Sequence, residues 1–431
     1  MISSKWRSIT GVGTLARGSA AWNAGILSAS SVLLQVVTLS VYPILTRLYS
    51  PADFGVAATI STLYTMLCVL ASGMGETAIV LTKSRTNAAA VMVWVFRRAT
   101  LVLALFASIC GCLFAAGLLD MLDKSIVALL PVVPLLAAVS VLFACASEFA
   151  VREGRFSSLA QFRFLQGFSI VGSRLGLGAV FSLQNGLVLG ELLGKAIGAA
   201  WSVRRTVGGL SEVFRKANQT RVRRVRKRYR SMSNLSVFEN LLSVGGGGIY
   251  VPIIGAAYGI DEVGYVAVVM SALYLPVTVV STAVKDVFRR RAVAELAATG
   301  SCRSLYFRAL RPVFLLGVLG FGLLYVSIPW LLPIFLGPGW GVVVEYSTIL
   351  IPMFFFNFVS MSLGGVFVAV HRVDVAVWWQ AINLLATALM MIGAVLSGAG
   401  VETTLMSMAV TRIVSYLLFM ALSVHYGVRR R

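Results

Sequence analysis

The stretch Arg221-Val222-Arg223-Arg224-Val225-Arg226-Lys227-Arg228-Tyr229-Arg230 sits near the middle of a chain of 431 residues. It is dense in cations, and on each side of it the sequence turns apolar. Six long apolar runs precede it, at roughly 19–45, 54–81, 90–118, 126–150, 158–182 and 186–205. Six follow it, at roughly 234–258, 263–284, 310–330, 341–369, 375–397 and 403–426. About 20 such residues cross a bilayer as a helix. The runs are too long for core strands and lack the alternation of a membrane barrel. Lipid accepts only helices and closed barrels, because every backbone polar group must be satisfied internally. The sequence therefore predicts an all-α polytopic membrane protein of twelve transmembrane helices in two six-helix lobes. The lobes are residues 1–207 and 231–431, joined by a basic linker at 208–230.

Composition agrees. Hydrophobic residues make up 58% and charged residues 12%, against about 25% charged in soluble domains. Mean hydropathy is +0.88. These values exclude a soluble enzyme, a disordered chain and a disulfide scaffold. The net charge of +21 is a matter of topology. With the N-terminus in the cytoplasm, 32 of the 37 Lys and Arg fall on cytoplasmic segments, including Lys5, Arg7, Arg17 and Arg429 to Arg431. The outer side keeps only Arg47 and Lys124, with several acids. This satisfies the positive-inside rule and puts both termini in the cytoplasm. It accounts for the basic stretch as a loop on anionic headgroups, with no nucleic acid partner. The polar, basic start followed by an uncleaved apolar run reads as a signal-anchor helix.

Five cysteines and two histidines show no disulfide or metal spacing, so neither a metal nor a cofactor is expected. Cys110 and Cys112 read as packing residues. No phosphate-binding GxxxxGK[ST] loop occurs, and no catalytic residues are identified.

The two halves echo each other. Pro43-Ile44-Leu45-Thr46-Arg47-Leu48-Tyr49-Ser50-Pro51-Ala52-Asp53-Phe54-Gly55 aligns without gaps on Pro252-Ile253-Ile254-Gly255-Ala256-Ala257-Tyr258-Gly259-Ile260-Asp261-Glu262-Val263-Gly264. Pro, Ile, Tyr and Gly coincide, and Asp53 faces Glu262. Both stretches are outer hairpins joining the first two spans of a half. Six spans per half is an even number, so the halves share one orientation, as in transporters built from parallel repeats.

The hairpin Leu45-Thr46-Arg47-Leu48-Tyr49-Ser50-Pro51-Ala52-Asp53-Phe54-Gly55 resembles a known family. These are the oligosaccharide (O-antigen, Wzx-type) flippases, or polysaccharide biosynthesis exporters, of the multidrug/oligosaccharidyl-lipid/polysaccharide exporter superfamily. Members often carry an LTRLYSPEDFG-like hairpin here. They also carry a YELAI(V)LP-like segment, to which Met74-Gly75-Glu76-Thr77-Ala78-Ile79-Val80-Leu81 is similar, with Gly and Thr in place of Tyr and Leu around Glu76. The resemblance implies a flippase of the bacterial inner membrane, not an enzyme. Its cargo would be undecaprenyl-diphosphate-linked oligosaccharide, for O-antigen, lipopolysaccharide or exopolysaccharide assembly. Polysaccharide polymerase and chain-length proteins would be its partners.

Such a cargo needs a polar, cationic cavity, because stripping pyrophosphate of water is costly. A cation at mid-depth itself costs about 2.5–3.5 kcal/mol on insertion scales, so each one present needs a reason. Arg174, Lys195 and Arg412 are the candidate substrate-binding residues. Lys195 has a second reading, neutralisation by Glu191 at i,i+4, and Arg174 could snorkel to the outer interface. Arg412 has no carboxylate in its own span. Glu76, Glu148 and Glu239 fall near cytoplasmic ends. They read either as solvated interfacial groups or as ion-pair and coupling residues, a role open to Glu191 as well. Gly245, Gly246, Gly247 and Gly248 form a candidate hinge or broken-helix site, with close packing as the alternative. Gly172-x-x-x-Gly176 reads as a packing face. Tyr49, Tyr258, Trp330 and Trp340 read as interface anchors. Two rivals remain. A drug exporter of the same superfamily should line its cavity with acids. A membrane-embedded glycosyltransferase or polymerase should carry a large outer loop, and the longest here is only about ten residues (331–340).

Overall fold

The computed structural model describes residues 33–119, 123–181, 183, 185–207, 215, 217–370 and 372–427. The beginning of the first predicted span, Lys5, Arg7, Arg17, Asp120 and Arg429 to Arg431 lie outside the described residues. Each predicted apolar run falls on helix. The first half holds α1 (Leu33–Leu48), α2 (Pro51–Ser72), α3 (Arg85–Ala115), the short α4 (Lys124–Leu129), α5 (Val132–Arg152), α6 (Phe156–Ala179) and α7 (Gly186–Val207). The second half holds α8 (Gln219–Gly248), α9 (Tyr250–Tyr258), α10 (Ile260–Thr299), α11 (Arg303–Leu336), α12 (Val342–Leu363), the short α13 (Val366–Ala369), α14 (Val373–Leu396) and α15 (Val401–Tyr426). Among the described residues, nine spans are long and apolar enough to cross a membrane. Helices α1, α6 and α10 occupy the three remaining predicted runs. The protein is a polytopic, all-helical membrane protein.

Local chemistry sets the helix starts. Ser50 and Asp53 form a reciprocal cap at the N-terminus of α2. The Asp53 N–H donates to Ser50 Oγ at 3.3 Å, and the Ser50 N–H donates to Asp53 Oδ2 at 2.9 Å. Pro51 occupies the first helical position, where its missing N–H costs nothing. Ser84 caps α3 by accepting from the Asn87 N–H at 3.2 Å.

The chain divides into two compact units. One is formed by the described residues within 1–41, 67–122 and 127–237, the other by those within 42–66, 123–126 and 238–431. In the first unit the core centres on α3, where Ala88 to Val95 are buried together with Val141, Cys145 and Phe149 of α5. The basic start of α8 belongs to the same core, because Val222 and Val225 are buried in it.

In the second unit the two aligned hairpin segments meet each other. A Cβ on Gly55 would overlap the Ile260 carbonyl, and a Cβ on Gly264 would overlap the Pro51 carbonyl. Ile260 is the residue that aligns with Pro51, so the contact is reciprocal. Trp340 is buried here rather than anchored at an interface. Its indole N–H donates to the Thr46 carbonyl at 3.0 Å, and its ring meets Phe54 edge-on at 5.3 Å. Tyr49 is also buried, and the Tyr258 hydroxyl donates to the Ala399 carbonyl at 2.7 Å. The hairpin offers them apolar neighbours and fixed acceptors, which outweigh the interface. Trp330 alone of the four is highly exposed.

Candidate functional site

Two polar constellations lie within apolar helices, one in each unit. In the first unit, Arg174 of α6 meets Glu191 of α7, with Nη2 3.0 Å from Oε2. Lys195 Nζ lies 3.5 Å from the other carboxylate oxygen and donates to Ser140 Oγ of α5 at 3.4 Å. Arg174 also donates from Nε to the Leu187 carbonyl at 3.1 Å. Two cations thus share one buried carboxylate. The geometry unites Arg174, Lys195 and Glu191, so Glu191 neutralises more than the helical pair alone.

This cluster exists because α6 and α7 approach closely. A Cβ on Gly190 would sit 2.8 Å from the Arg174 backbone nitrogen, and one on Gly198 would sit 2.6 Å from Gln166 Cβ. Gly194 lies against the Ile170 backbone in the same way. The packing face is therefore Gly190, Gly194 and Gly198. The predicted Gly172-x-x-x-Gly176 face is not seen, since among the described residues neither glycine has a neighbour where its Cβ would be. Small residues at spacing four allow backbone approach only on the side where a helix lies.

In the second unit, Arg412 of α15 is 6% exposed. Its Nη2 donates to the Gly246 carbonyl of α8, and its Nε is buried without a partner. It lines a cavity of about 460 Å³ that also holds Asn357, Gln380 and Asn383. The side-chain oxygens of Gln380 and Asn383 are buried acceptors without a donor. Tyr250, Tyr274, Trp379 and Tyr416 supply aromatic walls. Among the described residues no carboxylate lines this cavity. Of these lining residues, Arg412 was singled out from the sequence. Gln380 and the aromatic walls were not singled out, although Arg412 and Tyr416 at i,i+4 share a helix face.

The four glycines divide between two tasks. Gly246 and Gly247 face the cavity, while a Cβ on Gly248 would sit 2.7 Å from Thr62 Cγ2 of α2. The helix runs through all four and breaks just after them, between α8 and α9.

Of the remaining acids, Glu239 is half-buried on α8. Glu76 lies in a 3-10 turn, Gly75–Ile79, after α2. It is buried rather than solvated and accepts from Ser72 Oγ at 3.2 Å. Burial, which disfavours the charged form, pushes its carboxyl above the ordinary carboxylate range. Among the described residues no group of His, Cys, Asp and Glu gathers that could hold a metal ion.

Residues 44–345 match the family described as polysaccharide biosynthesis protein. No match is found among curated proteins. Several solved structures share the fold. The lipid II flippase MurJ, in an inward closed conformation, superposes with a TM-score of 0.71 at 11% identity, over 93% of this chain and 87% of that one. An inward-facing multidrug resistance MATE family transporter of the MOP superfamily gives 0.67 at 10% identity, over 91% and 97%. A MOP superfamily transporter from Pyrococcus furiosus, described by a binding pocket of reverse polarity, gives 0.56 at 13% identity, over 93% of each chain.

Proposed function

The chain belongs to the polysaccharide biosynthesis protein family, and on that premise we propose that it flips undecaprenyl-diphosphate-linked oligosaccharide. The direction is from the cytoplasmic to the periplasmic leaflet of the bacterial inner membrane, with both termini in the cytoplasm. The lobes, 1–207 and 231–431, would rock against each other in alternating access, with a cationic cavity receiving the cargo. The observation that carries this reading is the second-unit cavity, with one buried arginine and, among the described residues, no carboxylate. A cavity for cationic drugs would need the opposite sign. An arginine fork matches phosphate oxygens in pairs. The unpaired oxygens of Gln380 and Asn383 await donors, which sugar hydroxyls supply. The lipid tail stays in the bilayer. Arg174 and Lys195, gathered around Glu191, provide a second point of attraction in the first unit.

The experiment is deletion of the gene in its host, followed by extraction of lipid-linked oligosaccharides. Accumulation of undecaprenyl-linked repeat units on the cytoplasmic side, with loss of surface polymer, is expected. Wild-type complementation restores the polymer, and Arg412→Ala at equal protein level does not. Unchanged lipid pools and surface glycan would move the cargo to another class. Absence of lipid-linked units would point to an earlier synthetic step.

A further inference from the structure

The charge on α8 is ordered by how the helix docks. Val222 and Val225 are buried in the first unit's core, and Tyr229 packs against the same cluster. This apolar stripe fixes the direction of the arginines on either side of it. Arg223, Arg226 and Arg230, at i, i+3 and i+7, form one wall of a groove whose other wall is Arg97 and Arg98 of α3. The groove has a volume of about 610 Å³ and, among the described residues, no carboxylate in its lining. Among the described residues none of the five makes an ion pair with an acid. The buried Glu76 acts on Arg98 only through its field. Five like charges around one groove repel one another, and the fold holds them there. Arg98 packs on Gly73, and the Ser233 hydroxyl of α8 donates to the Gly73 carbonyl. At its far end the groove reaches Leu101, which is 73% exposed and starts an outward apolar face continued by Leu105.

We propose that this groove is a second anion site, distinct from the Arg412 cavity, that binds a multiply charged phosphate group. Guanidinium forks on facing walls suit an anion with several phosphate oxygens. The opening onto the apolar face of α3 suits a phosphate carried on a lipid headgroup at the membrane surface. The site does not depend on which cargo the protein carries.

The test uses the full chain in neutral detergent with two probes, cardiolipin read by native mass spectrometry and inorganic pyrophosphate read by calorimetry. Arg223→Gln/Arg226→Gln/Arg230→Gln empties one wall. Arg221→Gln/Arg224→Gln/Arg228→Gln removes the same charge from the rest of the helix. The first triple should weaken binding on the order of 100-fold, from about fivefold per arginine. The second should retain at least ten times the affinity of the first. Arg97→Gln, an exposed change on the opposite wall, should weaken it about fivefold by the same arithmetic. Saturable cardiolipin binding with inert pyrophosphate supports a lipid-borne phosphate. Saturable pyrophosphate binding, with cardiolipin no better than neutral lipid, supports the site with a soluble source. Equal losses in the two triples, or no saturable binding of either probe, would overturn the proposal.

Discussion

Replacing Gly190 by alanine adds one methyl where α7 meets α6. That methyl would lie 2.8 Å from the Arg174 nitrogen and 2.9 Å from its Cα and Cγ. Ordinary contacts of this kind lie about 0.6 Å or more farther out, so the helices must separate or α7 must rotate. Overpacking of this kind costs about 1–3 kcal/mol. The gain in helix propensity from glycine to alanine offsets up to about 1 kcal/mol. A net loss of up to about 2 kcal/mol remains at full offset, which for a chain of this length corresponds to roughly 1–2 °C in melting temperature. The same separation stretches the 3.0 Å link between Arg174 and Glu191. Gly172→Ala is the matched control, since open space surrounds that position, and it should be neutral or slightly stabilising. The assay is thermal unfolding of the purified protein in detergent, followed by fluorescence size exclusion. Equal melting temperatures for Gly190→Ala and Gly172→Ala would refute the assignment of the packing face.

Glu191→Gln leaves Arg174 and Lys195 without their shared counter-charge. Both cations keep partial access to solvent, so the loss should be about 2 kcal/mol, below the 3–5 kcal/mol of a fully buried pair. A melt indistinguishable from wild type would show the cluster to be solvated. Trp340→Phe keeps the ring and deletes the donor to the Thr46 carbonyl. It should cost about 1–3 kcal/mol, whereas Trp330→Phe, on an exposed ring, should cost under about 0.5 kcal/mol; similar losses at the two positions would contradict this distinction. Arg412→Lys keeps the charge but loses the planar fork. It should restore surface polymer only partially in the deletion strain, and full restoration would mean that a point charge suffices.

Much of the architecture is written in hydropathy, because lipid imposes a length and forbids open strand edges. The start of α2 was legible too, since Ser50, Pro51 and Asp53 carry a cap whose hydrogen bonds are local. Facing is the part that sequence spacing leaves open. Gly172/Gly176 and Gly190/Gly194/Gly198 have the same spacing, and only the position of the neighbouring helix distinguishes them. Trp340 and Trp330 are both aromatic residues near a span end, yet one is enclosed and the other faces outward. In the stretch 221–230 the cations dominate the reading and conceal a short apolar stripe of Val222, Val225 and Tyr229. Arg412 was legible because the one carboxylate of its own helix, Glu402, lies ten residues away in the first turn. Its cavity was not, because Tyr250, Tyr274, Trp379 and Tyr416 come from separate segments, and aromatic residues face lipid as readily as a pocket.

The reciprocal meeting of Gly55 with Ile260 and of Gly264 with Pro51 bears on ancestry. When position i touches position j of an equivalent segment, and j touches i in return, the contact has the form of a two-fold, self-complementary interface. Here both partners belong to one polypeptide. A half-length forebear with a single such hairpin could have made the same contact with a second copy of itself. Fusion of two copies would then have turned an association between molecules into one within a molecule, freeing each hairpin to diverge. The shared glycine is where that freedom is smallest, because a side chain on either copy would strike the backbone of the other.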